Sequence, residues 1–327
     1  MDLAAIVTSD PERRRRAAAA HPKAKLLSST AELWVDAAEL GIELAVVATP
    51  NRSHVSVASA AMDAGLGVVV DKPLAATVAA GRGLVAEAER RGLFLTVFHN
   101  RRWDGDFLTV RRLVDAGALS DVWRFESRFE RWRPVRAADA WRERADPAEG
   151  GGILLDLGSH LIDQALVLLG PPVSVYAELV RRRPGAEVDD DVFVAVEHAG
   201  GAWSHLWASS VVARPGPRFR VLGSEAGYVV RGMDVQEDAL KRGERPGGPG
   251  WGSAPPSQWG TVGVGDSVEP VPTEAGDYGR FYEGVVASLR HGAPPPVAPL
   301  EAVRTLEVIE AVRRSAASGQ TVTLMPA

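Results

Sequence analysis

The feature that most constrains the fold is the regular alternation of apolar and helical segments in the N-terminal third of the chain. Residues 42–50 (IELAVVATP) and 67–73 (GVVVDKP) are nearly continuous apolar runs, typical of parallel strands buried on both faces. A helix-start signal, residues 9–12 (SDPE), directly follows the apolar stretch that ends at Val7. Short connections between such segments predict a doubly wound parallel sheet. Further strands are predicted at 25–27 and 93–100, and helices at 31–40, 52–64 and 77–91.

After a predicted linking helix at 106–116, the pattern changes to that of antiparallel strands. Residues 122–132 (VWRFESRFERW) alternate in polarity and are rich in aromatic side chains, as expected of such a strand. The chain is therefore predicted to be α/β followed by α+β. More strands are predicted within 173–182, 191–200, 202–212, 218–232 and 321–324, a loop at 243–260, and helices at 277–291 and 299–318.

Length and charge narrow the classes of protein that need to be considered. A chain of 327 residues suits two domains. The net charge of −5 gives no reason to expect nucleic acid or an anionic membrane as a partner. The absence of cysteine excludes disulfides, thiolate metal sites and cysteine nucleophiles, and it fits a reducing cytoplasm. No apolar run is long enough to span a membrane, and the N-terminus lacks the order of a signal peptide.

Polar residues gather where the predicted parallel strands end. In open α/β sheets, ligands bind beyond the carboxyl ends of the strands. We therefore expect a ligand crevice formed by four strand ends, which carry Thr8-Ser9-Asp10, Thr49-Pro50-Asn51, Asp71-Lys72-Pro73 and His99-Asn100-Arg101.

Lys72 is the first candidate for chemistry. A lysine at the end of a buried strand, beside a carboxylate, can position a substrate hydroxyl or carbonyl and help its proton to move. Taken alone, however, the tripeptide Asp71-Lys72-Pro73 is more typical of an ordinary turn with a solvated lysine.

The second candidate is the segment 150–170 (GGGILLDLGSHLIDQALVLLG). Its three glycines allow close backbone approach at the start of a helix that is otherwise apolar all round. Asp156, His160 and Asp163 fall on one stripe of this helix, and buried polar groups are costly unless they are paired or functional. Asp156 could orient His160, which would act as general acid or base. A structural Asp–His pair is the alternative, and no third ligand supports a metal site.

The third candidate is Trp141-Arg142, just before the glycines. An indole and a guanidinium can cover a flat ring or hold an anionic group. The neighbouring Arg131, Trp132 and Arg133 make the region rich in such groups without choosing among them. Alone, the pair is also compatible with ordinary loop packing.

The motifs 47–54 (VATPNRSH), 67–75 (GVVVDKPLA), 99–107 (HNRRWDGDF) and 150–160 (GGGILLDLGSH) occur in an order and spacing that resemble one oxidoreductase family. This is the glucose–fructose oxidoreductase/inositol dehydrogenase/rhizopine catabolism (Gfo/Idh/MocA) family, and the likeness covers nearly the whole chain. The resemblance implies a Rossmann-type domain, here 1–120, and an α+β domain with an open, mainly antiparallel sheet, here 121–327. It also implies NAD(P)-dependent redox chemistry on a sugar, cyclitol or related polyol, and a homodimer or homotetramer assembled through that sheet.

The same resemblance assigns roles to residues. It implies that Lys72, Asp156 and His160 are catalytic, and that Asp71 replaces a more usual glutamate. Hydride would pass between nicotinamide and a C–H carbon while Lys72 and His160 manage the hydroxyl proton. The cofactor-binding residues carried over are Thr49, Pro50, Asn51, His54, Asp71, Lys72, Asn100, Trp141 and Arg142.

The end of the first apolar segment bears on cofactor choice. Asp10 could bind a ribose diol, as an acid does at the end of the second strand of such folds, or it could only cap the helix. Ser9 and the arginines that begin at Arg13 favour a 2′-phosphate. We therefore expect NADP or NAD, with a slight preference for NADP.

One family feature is missing from the sequence. The first strand and its Gly-x-Gly-x-x-Gly turn have no counterpart, since the glycine clusters at 247–252 and 263–268 do not join a strand to a helix. We expect this sequence to begin at the second strand of the fold and to bind NADPH or NADH more weakly than a form extended by one βα unit of ~25–30 residues. The alternative function is a non-catalytic sugar- or nucleotide-binding relative, or an inactive short form.

Overall fold

The computed structural model describes residues 1–136 and 150–324, so Trp141 and Arg142 lie outside the described residues. The N-terminal part alternates strands and helices as predicted. Asp10, Ser29 and Thr77 cap three of the helices through their side chains, each accepting a backbone N–H three residues ahead. The strands are β1 (Ala5–Val7), β2 (Lys25–Leu27), β3 (Leu44–Val47), β4 (Gly67–Asp71) and β5 (Leu95–Phe98), and the helices are α1 (Pro11–Ala20), α2 (Thr30–Asp36), α3 (His54–Asp63) and α4 (Val78–Arg91).

The five strands form two parallel sheets. One consists of β1 and β2, and the other has the order β3-β4-β5. In the described part of the chain, no strand pairs with β1 or β3 on its remaining edge. The parallel, Rossmann-type arrangement is thus confirmed, in two pieces.

The central strand β4 matches the expectation of burial on both faces, and β3 does not. Val68, Val69 and Val70 are fully buried. Val46 of β3 is 51% exposed. The expectation that 42–50 forms a strand covered on both sides was therefore wrong for β3, because this strand lies at the edge of its sheet and one of its faces is open.

Helix α5 (Gly105–Asp115) links these sheets to a nine-stranded sheet of order β13-β12-β11-β10-β6-β9-β8-β7-β14. All neighbouring strands in it are antiparallel except β6 and β9. The mainly antiparallel sheet is therefore confirmed. Its strands are β6 (Val122–Glu130), β7 (Pro172–Val180), β8 (Asp191–His198), β9 (Trp203–Ser209), β10 (Phe219–Gly223), β11 (Gly227–Val230), β12 (Gly260–Val264), β13 (Ser267–Val271) and β14 (Val322–Thr323).

The helices of the second part cover one face of this sheet and reach back to the first part. They are α6 (Ser159–Leu169), α7 (Gln236–Lys241), α8 (Gly279–His291) and α9 (Pro299–Ser318). α6 packs on β6 and β9, while α9 packs on β7 and also on α4. Among the described helices, none is both long and apolar enough to cross a bilayer.

Three features of the second part were not predicted, and the short helix α7 (Gln236–Lys241) is the first of them. The hairpin β12–β13 was overlooked, because its glycine-rich sequence has low β propensity and yields no clear alternation. The helical segment after the glycines begins with one π-helical turn, Leu154–Gly158, before α6. Single π-helical turns occur often at functional sites.

Gly152 holds the backbone at the entrance to this π-helical turn. Its φ of +94° is in the left-handed range, and an added Cβ would lie 2.3 Å from Oδ1 of Asp189. The Asp189 carboxylate is held in place, because its Oδ2 accepts a hydrogen bond from the backbone N–H of Leu154 at 2.7 Å. Both the backbone conformation and the space at this position therefore require glycine.

We expect Gly152→Ala to lower the free energy of unfolding by about 2–4 kcal/mol, through backbone strain and overpacking. Urea unfolding measures this. Gly83→Ala is the matched control, because Gly83 lies in α4 with no atom within 4 Å of an added Cβ. It should raise stability by about 0.5–1 kcal/mol. Equal tolerance of both changes would show that the conformation at Gly152 is not required.

Candidate active site

A cavity of about 500 Å³ lies between the carboxyl ends of β4 and β5 and the start of α6. Asp71, Lys72 and Asn100 line it from the first part of the chain, and Asp156 and His160 line it from the second. The structure thus brings together the three residues predicted to be catalytic. They are far apart in the sequence, and only the packing of α6 against the strand ends unites them.

Lys72 and Asp156 are in direct contact. Lys72 Nζ donates to the backbone carbonyl of Asp156 at 2.6 Å and to its carboxylate Oδ1 at 3.1 Å. The Lys72 backbone N–H donates to Oδ1 of Asp71 at 2.8 Å, which fixes the turn that carries the lysine. The sequence suggested that Asp156 orients His160. The structure instead shows Asp156 anchoring the lysine, with both side chains still partly exposed to the cavity.

His160 is buried and lines the same cavity. Its Nδ1 has no hydrogen-bond partner among the described residues. Burial, together with the nearby positive charges of Lys72 and Arg101, holds the pKa of His160 well below its ordinary value. The imidazole is therefore neutral near pH 7 and can accept a proton or a hydrogen bond.

Asp163, the third polar residue of the stripe, has a different role. Arg102 donates to both of its carboxylate oxygens, at 2.8 and 2.7 Å, and the same guanidinium reaches Oε2 of Glu301 at 2.6 Å. Asp163 is 2% exposed and does not line the cavity. The third polar position of the stripe is therefore a buried ion pair that joins α6 to the first part of the chain and to α9.

The residues after β3 organise the strand ends. The two ring nitrogens of His54 lie 2.8 Å from the carbonyl oxygen of Pro73 and 2.9 Å from that of Thr49, which ties the β3 and β4 ends together. Asn51 Nδ2 donates to the Gly150 carbonyl at 3.0 Å. Thr49, Pro50, Asn51 and His54 do not line the 500 Å³ cavity, so their part in cofactor binding stays a prediction.

Ser9, Asp10 and Arg13 lie at the end of β1 and do not line the cavity either. Oδ1 of Asp10 accepts the Arg13 backbone N–H at 2.7 Å, and this hydrogen bond lowers the pKa of the Asp10 carboxyl. The capping role considered for Asp10 is thus present in the structure. The ribose role and the roles of Trp141 and Arg142 stay predictions.

Arg101, which was expected at the ligand crevice, lines the cavity, while sequence reasoning missed several other lining residues. Arg101 Nη1 donates to Asp104 at 3.1 Å and Nη2 to Glu237 at 2.5 Å, which joins the β5 end to α7. The segment after β6 contributes further positive charge, for which the arginine-rich sequence near 131–133 was the one signal available. The lining residues that were not proposed for the site are Phe98, Arg131, Arg133, Ile153, Leu157, Arg183, Val188, Asp189, Ser210 and Glu237.

Comparison with known proteins places this architecture in a class of NAD-binding oxidoreductases. Residues 1–99 match the family model described as "Oxidoreductase family, NAD-binding Rossmann fold". Residues 111–324 match the model described as "Oxidoreductase family, C-terminal alpha/beta domain". The chain is an oxidoreductase that belongs to the Gfo/Idh/MocA family.

Similar proteins include the scyllo-inositol 2-dehydrogenase (NADP+) IolW of Bacillus subtilis, which is 35% identical over 98% of this chain and 88% of its own. The uncharacterized oxidoreductase YdgJ of Escherichia coli is 38% identical over 94% of this chain and 87% of its own. The solved structure of the putative oxidoreductase yvaA from Bacillus subtilis has a TM-score of 0.92 at 34% identity, covering 99% of this chain and 91% of that chain.

The neutral His160 predicts a pH-dependent difference in stability. Below about pH 6.5 the unfolded chain binds a proton at this histidine while the folded chain does not, so the wild type loses stability on acidification. His160→Asn lacks this loss. Below pH 6.5, the free energy of unfolding of the wild type should therefore fall relative to that of the variant, by at most about 1.4 kcal/mol per pH unit.

Urea unfolding of both proteins across this pH range provides the measurement. Between about pH 7.5 and 8.5 the imidazole is neutral in both states, so the difference should stay constant there. A difference that is also constant at acid pH would show that His160 titrates normally in the folded protein.

Proposed function

We propose that the protein transfers a hydride between a nicotinamide cofactor and a CH–OH or carbonyl carbon of a sugar, cyclitol or related polyol. The observation that carries this proposal is the convergence of Lys72, Asp156 and His160 on one cavity at the carboxyl ends of parallel strands. The named activity of IolW, a dehydrogenase of scyllo-inositol, supports the class of substrate.

The strand ends carry hydroxyl, amide and charged groups that are able to hydrogen-bond to a dinucleotide. We propose that Thr49, Pro50, Asn51 and Asp71 hold the nicotinamide side, and that Ser9, Asp10 and Arg13 hold the adenosine ribose. When bound, the cofactor supplies the hydride acceptor or donor. We propose NADP over NAD, since α1 presents a run of four arginines from Arg13 onward and IolW is named as an NADP+ enzyme.

Side chains of the protein bind the substrate and transfer its hydroxyl proton. Lys72, held by Asp156, donates a hydrogen bond to the substrate hydroxyl or carbonyl oxygen and positions the carbon next to it. His160 lines the cavity and is neutral, so its imidazole can accept the hydroxyl proton during oxidation and return it during reduction. The buried surroundings of His160 keep bulk water away from this transfer.

Lys72→Met should lower kcat by roughly 10²- to 10⁴-fold, because the hydroxyl loses its donor and the Asp156 carboxylate loses its partner. Reduced-nicotinamide absorbance measures this, with NADP⁺ and NAD⁺ in parallel over a panel of sugars and cyclitols. Lys23→Met, at an exposed position away from the cavity, is the matched control and should retain full activity. A wild type that binds panel members without turnover would identify a binding protein instead of an enzyme.

The open face of the nine-stranded sheet supports an assembly of identical chains. Phe193 and Trp207 lie with ring centroids 5.2 Å apart, and the Arg128 guanidinium covers Trp207 at 3.9 Å. Trp203, on the same strand face as Trp207, is 37% exposed. Arginine and glutamate side chains alternate beside these rings, as in the pair of Arg220 with Glu126. We propose that two copies pair through this face, as homodimers or homotetramers, since it offers aromatic area and charges of both signs.

Trp207→Glu should reduce the mass of the assembly in solution toward that of one chain, because it places a carboxylate in the centre of the proposed contact. Multi-angle light scattering after size-exclusion chromatography gives the mass. Val35→Glu, at an 82% exposed position on α2, should leave the mass unchanged. A wild-type protein that is monomeric at micromolar concentration would contradict the proposal.

A further inference from the structure

The cavity is also lined by two arginines on one extended segment. Arg131 and Arg133 follow β6 and line the cavity, while Trp132 between them is 58% exposed. The backbone N–H groups of the two arginines donate to the carbonyls of Ser209 and Ser210, at 2.8 and 2.7 Å. Because side chains alternate along such a segment, both guanidiniums project to the same side from a fixed backbone.

The other cations of the cavity have carboxylate partners. Lys72 pairs with Asp156 at 3.1 Å and Arg101 with Glu237 at 2.5 Å. Arg183 pairs with Asp190 at 2.9 Å. Each of these charges is therefore compensated by the protein itself.

Arg131 and Arg133 differ from these cations. In residues 1–136 and 150–324, neither side chain forms an ion pair, a hydrogen bond or a ring contact. Burial, followed by the positive charge of Arg133, lowers the pKa of Arg131, and the carboxylates of Glu237 and Asp156 offset this only in part. A pair of guanidiniums that line a cavity without an ion-pair partner among the described residues is complementary to a carboxylate or phosphate, which guanidinium forks bind in a bidentate manner.

We infer that Arg131 and Arg133 bind an oxyanion on the substrate, so that the enzyme acts on an acidic sugar or polyol. The oxyanion is a carboxylate or a phosphate carried by the substrate apart from the reacting hydroxyl. This inference rests on the proposed function, since Lys72 and His160 define the reacting end. A neutral cyclitol would leave both guanidiniums uncompensated, which separates this chain's substrate from that named for IolW.

The experiment compares matched pairs of probes that differ only in the acidic group. The pairs are D-gluconate with D-glucitol, D-glucuronate with D-glucose, and glucose-6-phosphate with D-glucose. Turnover with NADP⁺ and binding by titration calorimetry are both measured. At least one acidic member should be preferred over its neutral counterpart by roughly 10-fold or more in kcat/KM or Kd. Whether a carboxylate or the phosphate is preferred decides between the two oxyanions.

The double variant Arg131→Gln with Arg133→Gln tests the residues themselves. It should raise KM or Kd for the preferred acidic probe by roughly 10- to 100-fold, leave its neutral counterpart within about threefold, and leave kcat little changed. Arg131→Lys should restore part of the affinity. Arg111→Gln with Arg314→Gln removes the same charge from exposed positions and should leave affinity for the acidic probe unchanged.

Three outcomes would overturn the inference. In the first, neutral probes are turned over as well as their acidic counterparts, which would leave the proposed function standing. In the second, the double variant loses affinity for NADPH in a fluorescence titration, which would assign the arginines to the cofactor. In the third, no acidic probe is bound better than its neutral counterpart. Binding of acidic probes without turnover of any probe would support the inference and contradict the proposed function.

Discussion

The contact between Arg102 and Asp163 is the interaction on which the geometry of the candidate site depends. Arg102 follows β5, and its guanidinium donates two hydrogen bonds to the carboxylate of Asp163 on α6. Both side chains are buried, so removing Arg102 would leave the buried Asp163 carboxylate without its guanidinium partner, at a cost of about 3–5 kcal/mol. Asp163 lies one turn after His160. The pair therefore fixes how α6 is rotated and how far it lies from the strand ends, and it presents His160 to Lys72.

Arg101, the residue before Arg102, also forms ion pairs that connect the end of β5 to other parts of the chain. Arg101 binds Asp104 and also Glu237 of α7, so two consecutive arginines fasten the end of β5 to separate parts of the second domain. Charges placed in this way create a polar but dry layer beneath the cavity. In that layer burial keeps His160 neutral, while Lys72 is held by a carboxylate nearer to solvent. In the proposed function, two groups in different environments thus take different roles, one as a proton acceptor and the other as a hydrogen-bond donor.

The sequence predicted the parts of this arrangement that are local. Strand and helix periods, capping residues and glycines located β4, α4 and the helix after 150, and the motifs on them named Lys72, Asp156 and His160. Contacts across long sequence distances could not be derived in this way. The pairing of Lys72 with Asp156 depends on how α6 docks, and the pairing of Arg102 with Asp163 spans 61 residues. The exposure of Val46 likewise depends on which strands flank β3, which the strand's own residues do not encode.

The proposed catalytic residues and the proposed substrate-binding arginines also differ in how well the sequence alone predicts them. The reacting end uses residue types that many oxidations of alcohols need, so a motif is enough to locate it. At the recognition end, the sequence near 131–133 showed only that arginine and tryptophan are abundant. The register with Ser209 and Ser210 turns Arg131 and Arg133 into the cavity and leaves Trp132 outside. If Arg131 and Arg133 bind the substrate as we propose, its identity is set by the pairing of one extended segment with the end of β9, and a chain with the same catalytic motif could select a different substrate by changing the side chains of that segment alone.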